Sequence, residues 1–112
     1  RALLYNAADG TLGALPRPDG IAETDSDMMA AWSPDGSAIL VASVVEEADP
    51  AQMLLEDSRS ERLTGLWLVD RAAGVSQLLG YVPFMPVPTT RGAWNEDGDV
   101  LLGGYRLHIA QN

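Results

Sequence analysis

The amino-acid sequence predicts an all-β chain of antiparallel sheets, and three observations carry that expectation. The first is the stretch Ala31-Trp32-Ser33-Pro34-Asp35-Gly36-Ser37-Ala38-Ile39-Leu40-Val41-Ala42, which reads as strand, tight turn, strand. Pro34 presets φ at the second turn position, Asp35 tolerates the third, and Gly36 takes the positive φ that reverses the chain. The second is the return of the pattern 62 residues later as Ala93-Trp94-Asn95-Glu96-Asp97-Gly98-Asp99-Val100-Leu101-Leu102. The third is a repeated hairpin, in which Leu4, Ala8, Gly10 and Leu15 recur as Leu68, Ala72, Gly74 and Leu79 at an offset of 64. Two independent segments repeating at nearly one spacing point to antiparallel four-stranded blades of a β-propeller, about two blade equivalents in all.

Taken in order, residues 1–20 read as the c–d hairpin of one blade. Ala2 to Tyr5 and Thr11 to Leu15 are its strands, Asn6 to Gly10 its turn, and Pro16 and Pro18 end it because neither can donate to a ladder. Asp19 to Asp27 is a polar, acidic linker. Residues 28–82 read as one complete blade: Met28 to Trp32 as strand a, Ser37 to Val45 as b, Leu63 to Asp70 as c and Val75 to Val82 as d. Strand b has few polar residues, as a strand buried on both faces would. Between b and c lies an acidic insert, residues 46–62, which reads as a solvated surface excursion. Inside it, Asp49 as N-cap, Pro50 at the first helical position and Gln52 three residues after the cap predict a short helix. Met53, Leu54 and Leu55 would give that helix an apolar side, and Ser58 and Ser60 would end it.

The run Pro83-Phe84-Met85-Pro86-Val87-Pro88 lacks the donors of an inner strand and reads as an extended connection. Residues 92–112 read as the a–b hairpin of the next blade, with Asp99 to Ala110 as a single strand in which Gly103-Gly104 marks a bulge or a close backbone approach. The structural residues of the repeat are then Trp32, Pro34, Asp35, Gly36, Trp67, Asp70, Gly74, Trp94, Asp97 and Gly98. Trp32 and Trp94 are expected in equivalent, largely buried places at the entry of strand a, where large aromatics suit an inter-blade layer. In this reading the chain begins and ends in mid-blade. Further blades are then expected from a longer polypeptide, from copies or from other chains, unless the two ends join in one composite blade.

Composition narrows the function. The chain has 112 residues, 16 acidic against 7 basic, a formal charge of −9 and 46% hydrophobic residues, enough for one small core. Every basic residue is Arg, and they form no cluster, so neither nucleic acid nor an anionic membrane surface is an expected partner. No apolar run reaches the ~18 residues of a membrane span, so no membrane insertion is expected. The first residues carry no signal-peptide pattern. With no cysteine there are no disulfides, thiolate metal sites or Cys nucleophile.

No catalytic set emerges. His108 is the only histidine, and alternation puts it on the face opposite Leu107 and Ile109; with no second His or Cys it is a structural or exposed residue rather than a ligand. No serine sits in a Gly-x-Ser-x-Gly elbow. Asp25/Asp27 and Glu96/Asp97/Asp99 lack the spacing of a calcium loop, and Gly103-Gly104 lacks a phosphate-binding Lys. No metal and no cofactor are expected, and any small ligand is left open.

Ala31-Trp32-Ser33-Pro34-Asp35-Gly36, then Ile39-Leu40-Val41, then Leu66-Trp67-Leu68-Val69-Asp70, resembles the TolB-like WD40-like repeat (PD40). Residues 28–82 match one whole repeat and 92–110 half of another, with Asn95-Glu96 departing from the Ser-Pro of the motif. The resemblance implies that the Trp packs between blades, the Pro-Asp-Gly makes the a–b turn, and the setting is extracytoplasmic or periplasmic. It also implies a non-catalytic scaffold or protein–protein interaction module, of a bacterial envelope or multi-subunit complex. Its alternative is the gating propeller of a prolyl-oligopeptidase-type serine peptidase whose catalytic domain lies outside this chain.

Overall fold

The structure, a computed structural model, describes residues 3–54, 63–83, 94–102 and 105–109. Leu55, Ser58, Ser60, the 84–88 part of the proline-rich connection, Gly103-Gly104 and residues 110–112 lie outside the described residues. Among those described, the architecture is antiparallel β-sheet with a single short 3-10 turn. No helix in it is long and apolar enough to cross a membrane.

The centre is a four-stranded sheet of β3 (Ser26–Trp32), β4 (Ala38–Val45), β5 (Leu63–Asp70) and β6 (Val75–Val82), in that spatial order. Two hairpins flank it: β1 (Leu3–Asn6) with β2 (Thr11–Ala14), and β7 (Asp99–Leu102) with β8 (Tyr105–His108). They form two separate sheets, so among the described residues the N-terminal and C-terminal hairpins do not share a composite sheet.

β4 is apolar along its length because both faces of the central sheet are covered. One face carries Ile39, Val41, Val45, Trp67 and Val69, packed with Leu15 and Ile21 from the segment after β2. The other carries Ala38, Leu40, Ala42 and Leu66, packed with Trp94, Val100 and Ile109 of the C-terminal unit. Strands alternate their side chains, so the residue-by-residue register of β4 on β5, Ala38 opposite Asp70 through Val45 opposite Leu63, fixes which residue serves which core. Met28 in β3 and Leu79 in β6 fall at the two register shifts of the sheet.

Three expectations are corrected. Trp32 is 49% exposed whereas Trp94 is 6% exposed, so the two are not in equivalent environments. Trp32 ends β3, the edge strand of the central sheet, where no further strand pairs with it among the described residues. The stretch Asp99 to Ala110 is not one strand. Leu102 pairs with Tyr105 across a two-residue link, and Val100 pairs with both Trp94 and Leu107. The C-terminal unit therefore runs from the Trp94 bridge through β7 to an antiparallel partner, β8.

The third correction concerns the insert. The short helix expected at Pro50 is there, as one 3-10 turn, Pro50–Gln52, and Asp49 is its cap, its side chain accepting from the Ala51 N–H at 2.9 Å; what differs is its surroundings. It stops there because the next residues turn to the sheet. Met53 bridges to Tyr81, and the Leu54 N–H donates to the Tyr81 carbonyl at 2.8 Å. Ala48 and Met53 pack against the Trp67 core. The first half of the insert is therefore docked on β6 rather than solvated throughout.

Candidate functional site

The turns at one edge of the sheets are built alike. In Ser33 to Ser37, the Gly36 N–H donates to the Ser33 carbonyl at 3.0 Å and Gly36 adopts φ +75. The Ser33 and Ser37 hydroxyls and the Ser37 N–H all donate to one oxygen of Asp35. Those bonds, Ser37 first, hold the Asp35 carboxyl down to about 2. In Asn95 to Asp99, Asn95 takes over the role of Asp35, its Oδ1 accepting from the Asp97 and Asp99 N–H groups, while Gly98 adopts φ +86. A groove of about 590 Å³ lies between the two turns, lined by Pro34, Asp35, Trp94, Glu96, Asp97 and His108 among others.

The β5–β6 turn adds to this edge. Asp70 Oδ1 accepts from the Ala72 and Ala73 N–H groups, and Gly74 closes the turn at φ +68. Gly10 does the same at φ +73 in the N-terminal hairpin, and the pairings Asn6 with Thr11 and Asp70 with Val75 enclose four-residue turns of one design. Arg71 then reaches back. Its guanidinium donates to the Gly36 carbonyl at 3.0 Å and lies 5.1 Å from the centroid of the Trp32 ring. A cation over an indole face is attracted by the ring's negative quadrupole.

Trp67 belongs to a different set. Its indole N–H donates to Ser43 Oγ at 2.9 Å, and Ser43 donates to Asp27 at 2.6 Å. Asp27 pairs with Arg17 at 3.0 Å, with both side chains 5% exposed. Arg17 also donates to the carbonyls of Ala22 and Asp25. The chain of bonds ties the connection after β2 to strands β3, β4 and β5. Neither Ser43 nor Arg17 was singled out by the sequence: Ser43 is one of the few polar residues of an apolar strand, and Arg17 stands between two prolines. Buried indole N–H groups need such partners, and Trp94 Nε1, also buried, has none among the described residues.

A second cavity, of about 780 Å³, opens between the 17–25 connection and residues 46–49, with Glu23, Asp25, Glu46, Glu47 and Asp49 on its rim and Tyr81 in its wall. Burial pushes the Tyr81 phenol up, and the Asp49 and Asp25 carboxylates add to that. Tyr81 donates to the Gly20 carbonyl at 2.8 Å. Among the described residues no group of three or more His, Asp or Glu is placed to hold a metal ion. His108 is exposed and pairs with Asp99 at 2.8 Å. No family model matches the chain, and comparison with curated proteins and with solved structures finds no significant similarity.

Proposed function

We propose that this chain is a non-catalytic β-propeller scaffold, a protein–protein interaction module made of blades of the TolB-like kind. The observation that carries this reading is the face that the central and C-terminal sheets each turn toward the preceding part of the chain. Trp94, Val100 and Leu107 face the Leu40–Leu66 side of the central sheet. Ile39 and Val69, their counterparts by register, face Leu15 on the N-terminal side. The central and C-terminal sheets thus turn the same register face toward the part of the chain before them, as blades around an axis do and as a two-layer sandwich does not. The exposed work of such a module falls to its turns and edges, where Trp32 and Arg71 supply the side-chain types most often found at binding hot spots.

The test uses the absence of native cysteine. Asn6, Asp70 and His108 occupy one repeat position, the end of strand c in each unit. Spin labels placed pairwise at these positions should give matching separations for Asn6–Asp70 and Asp70–His108, with the outer pair less than twice as far apart. Unequal neighbouring separations would remove the blade arrangement, and turnover of a peptide or ester substrate by the purified chain would remove the non-catalytic reading.

A further inference from the structure

Asp-Gly pairs stand at Asp9-Gly10, Asp19-Gly20, Asp35-Gly36 and Asp97-Gly98. In such a pair no side chain shields the glycine nitrogen, which is free to attack the aspartate Cγ. Two of the pairs share one tripeptide, Pro18-Asp19-Gly20 and Pro34-Asp35-Gly36. Their intrinsic chemistry is therefore alike, and the fold makes any difference between them.

The fold treats them differently. Gly36 is the last residue of its turn, and its N–H closes that turn on the Ser33 carbonyl at 3.0 Å. The Asp35 carboxylate accepts from the Ser33 and Ser37 hydroxyls and from the Ser37 N–H. Gly98 repeats the arrangement, its N–H donating to the Asn95 carbonyl at 3.1 Å. The Asp9 carboxylate accepts from the N–H and the hydroxyl of Thr11. Gly20 instead sits one place earlier in its turn, at φ +99, and Ile21 closes the turn on the Pro18 carbonyl at 3.3 Å. The N–H at that inner position lies outside the hydrogen-bonded ring. Among the described residues, neither the Gly20 N–H nor the carboxyl of the exposed Asp19 has a hydrogen-bond partner.

Beyond its nitrogen, Gly20 is held tightly. Its carbonyl accepts from the Tyr81 hydroxyl at 2.8 Å, and a Cβ on it would come within 2.7 Å of that oxygen and 2.9 Å of Leu78. Ile21, next in the chain, is buried in the Trp67 core. This turn thus fastens the 17–25 connection to β6.

We propose that Asp19 is the isoaspartate-forming site of this chain, and that its rearrangement unfastens the 17–25 connection from Tyr81. The Gly20 nitrogen attacks the Cγ of the protonated Asp19 carboxyl. Its proton leaves with the carboxyl hydroxyl as water, and a cyclic succinimide forms. Water then adds to an imide carbonyl and breaks that carbon's bond to nitrogen. Opening at the former main-chain carbonyl routes the backbone through the side chain, one methylene longer, and leaves a free α-carboxylate. Water is lost and regained, so charge and composition are unchanged and no oxidant or cofactor enters. The added carbon displaces the Gly20 carbonyl from Tyr81, because the close packing there has no slack to absorb it. The inference stands apart from the blade arrangement.

The whole chain is aged in mildly acidic buffer, folded and, in parallel, in concentrated urea. Isoaspartate at each pair is read by peptide mapping with a protease that cuts before aspartate but not before isoaspartate. In the folded chain Asp19 should rearrange at least about tenfold faster than Asp35, where hydrogen bonds must break before the ring can close. In urea the two rates should agree. Equal rates in the folded chain, or a lead at Asp35, would overturn the assignment. The rearranged form, separated by chromatography, should show faster amide exchange at Ile21 and Asp25 and a shifted Tyr81 ring resonance; native behaviour at both would overturn the release. Asp19→Glu keeps the charge, and its longer side chain closes far more slowly, so it should age with Tyr81 unchanged. The same Tyr81 shift in aged Asp19→Glu would overturn the proposal equally.

Discussion

Asp35 sits in water, yet three hydrogen bonds to one oxygen hold its carboxylate down to about 2 from an ordinary value of 3.8. A carboxyl whose folded value is depressed contributes stability that is present above the unfolded value and is lost as pH falls through the folded one. The Asp35→Asn variant should therefore melt below the native chain at pH 6, the gap closing between about pH 4 and pH 2; a constant gap in a pH series of thermal melts would contradict this. The tryptophans differ just as measurably. Trp67→Ala and Trp94→Ala should each cost about 3–5 kcal/mol in urea unfolding, whereas Trp32→Ala should cost about 1 kcal/mol, the scale of an exposed cation–π contact. Ser43→Ala leaves the Trp67 indole and Asp27 without their shared partner and should cost about 1–3 kcal/mol.

The elements show which levels of structure the sequence discloses. The turns were legible because Asp35, Gly36, Asp70 and Gly74 act on neighbours two to four residues away. Ser43 and Trp67 lie 24 residues apart and Asp27 and Ser43 lie 16 apart, so no local pattern encodes their bond. The insert was misread for a related reason: its composition is that of a solvated loop, but its docking depends on Gly80. A Cβ there would come within 2.6 Å of the Gln52 carbonyl and 2.7 Å of Leu54, and the backbone holds φ +149. Gly80→Ala should therefore detach the insert, seen as faster amide exchange at Leu54, and lower the stability by more than the ~1 kcal/mol of a glycine's backbone freedom. Deleting residues 46–62 should destabilise the sheet as well, because Ala48 and Met53 leave the Trp67 core; an unchanged melting temperature would return the insert to the status of a passive loop.

At the scale of the molecule, stability is shared between sheets rather than held within each. The Leu40, Ala42, Leu66 and Val82 side of the central sheet is dry because the C-terminal unit covers it. Ending the chain at residue 91 should expose that face, with binding of a hydrophobic dye and association at micromolar concentration as the signs. The general architecture was readable because strand alternation and turn chemistry are local. The exposure of Trp32 was not, because it depends on what stands against it from elsewhere in the chain.

The uneven seating of the three indoles makes the protein its own optical gauge. Trp67 is sealed within the central sheet, Trp94 is sealed only while the C-terminal unit stays in place, and Trp32 meets solvent throughout. Acrylamide should quench the emission in that order reversed, Trp32 first and Trp67 last. A red shift carried by Trp94 before Trp67 changes would show the outer unit peeling away ahead of the central sheet, with no label attached.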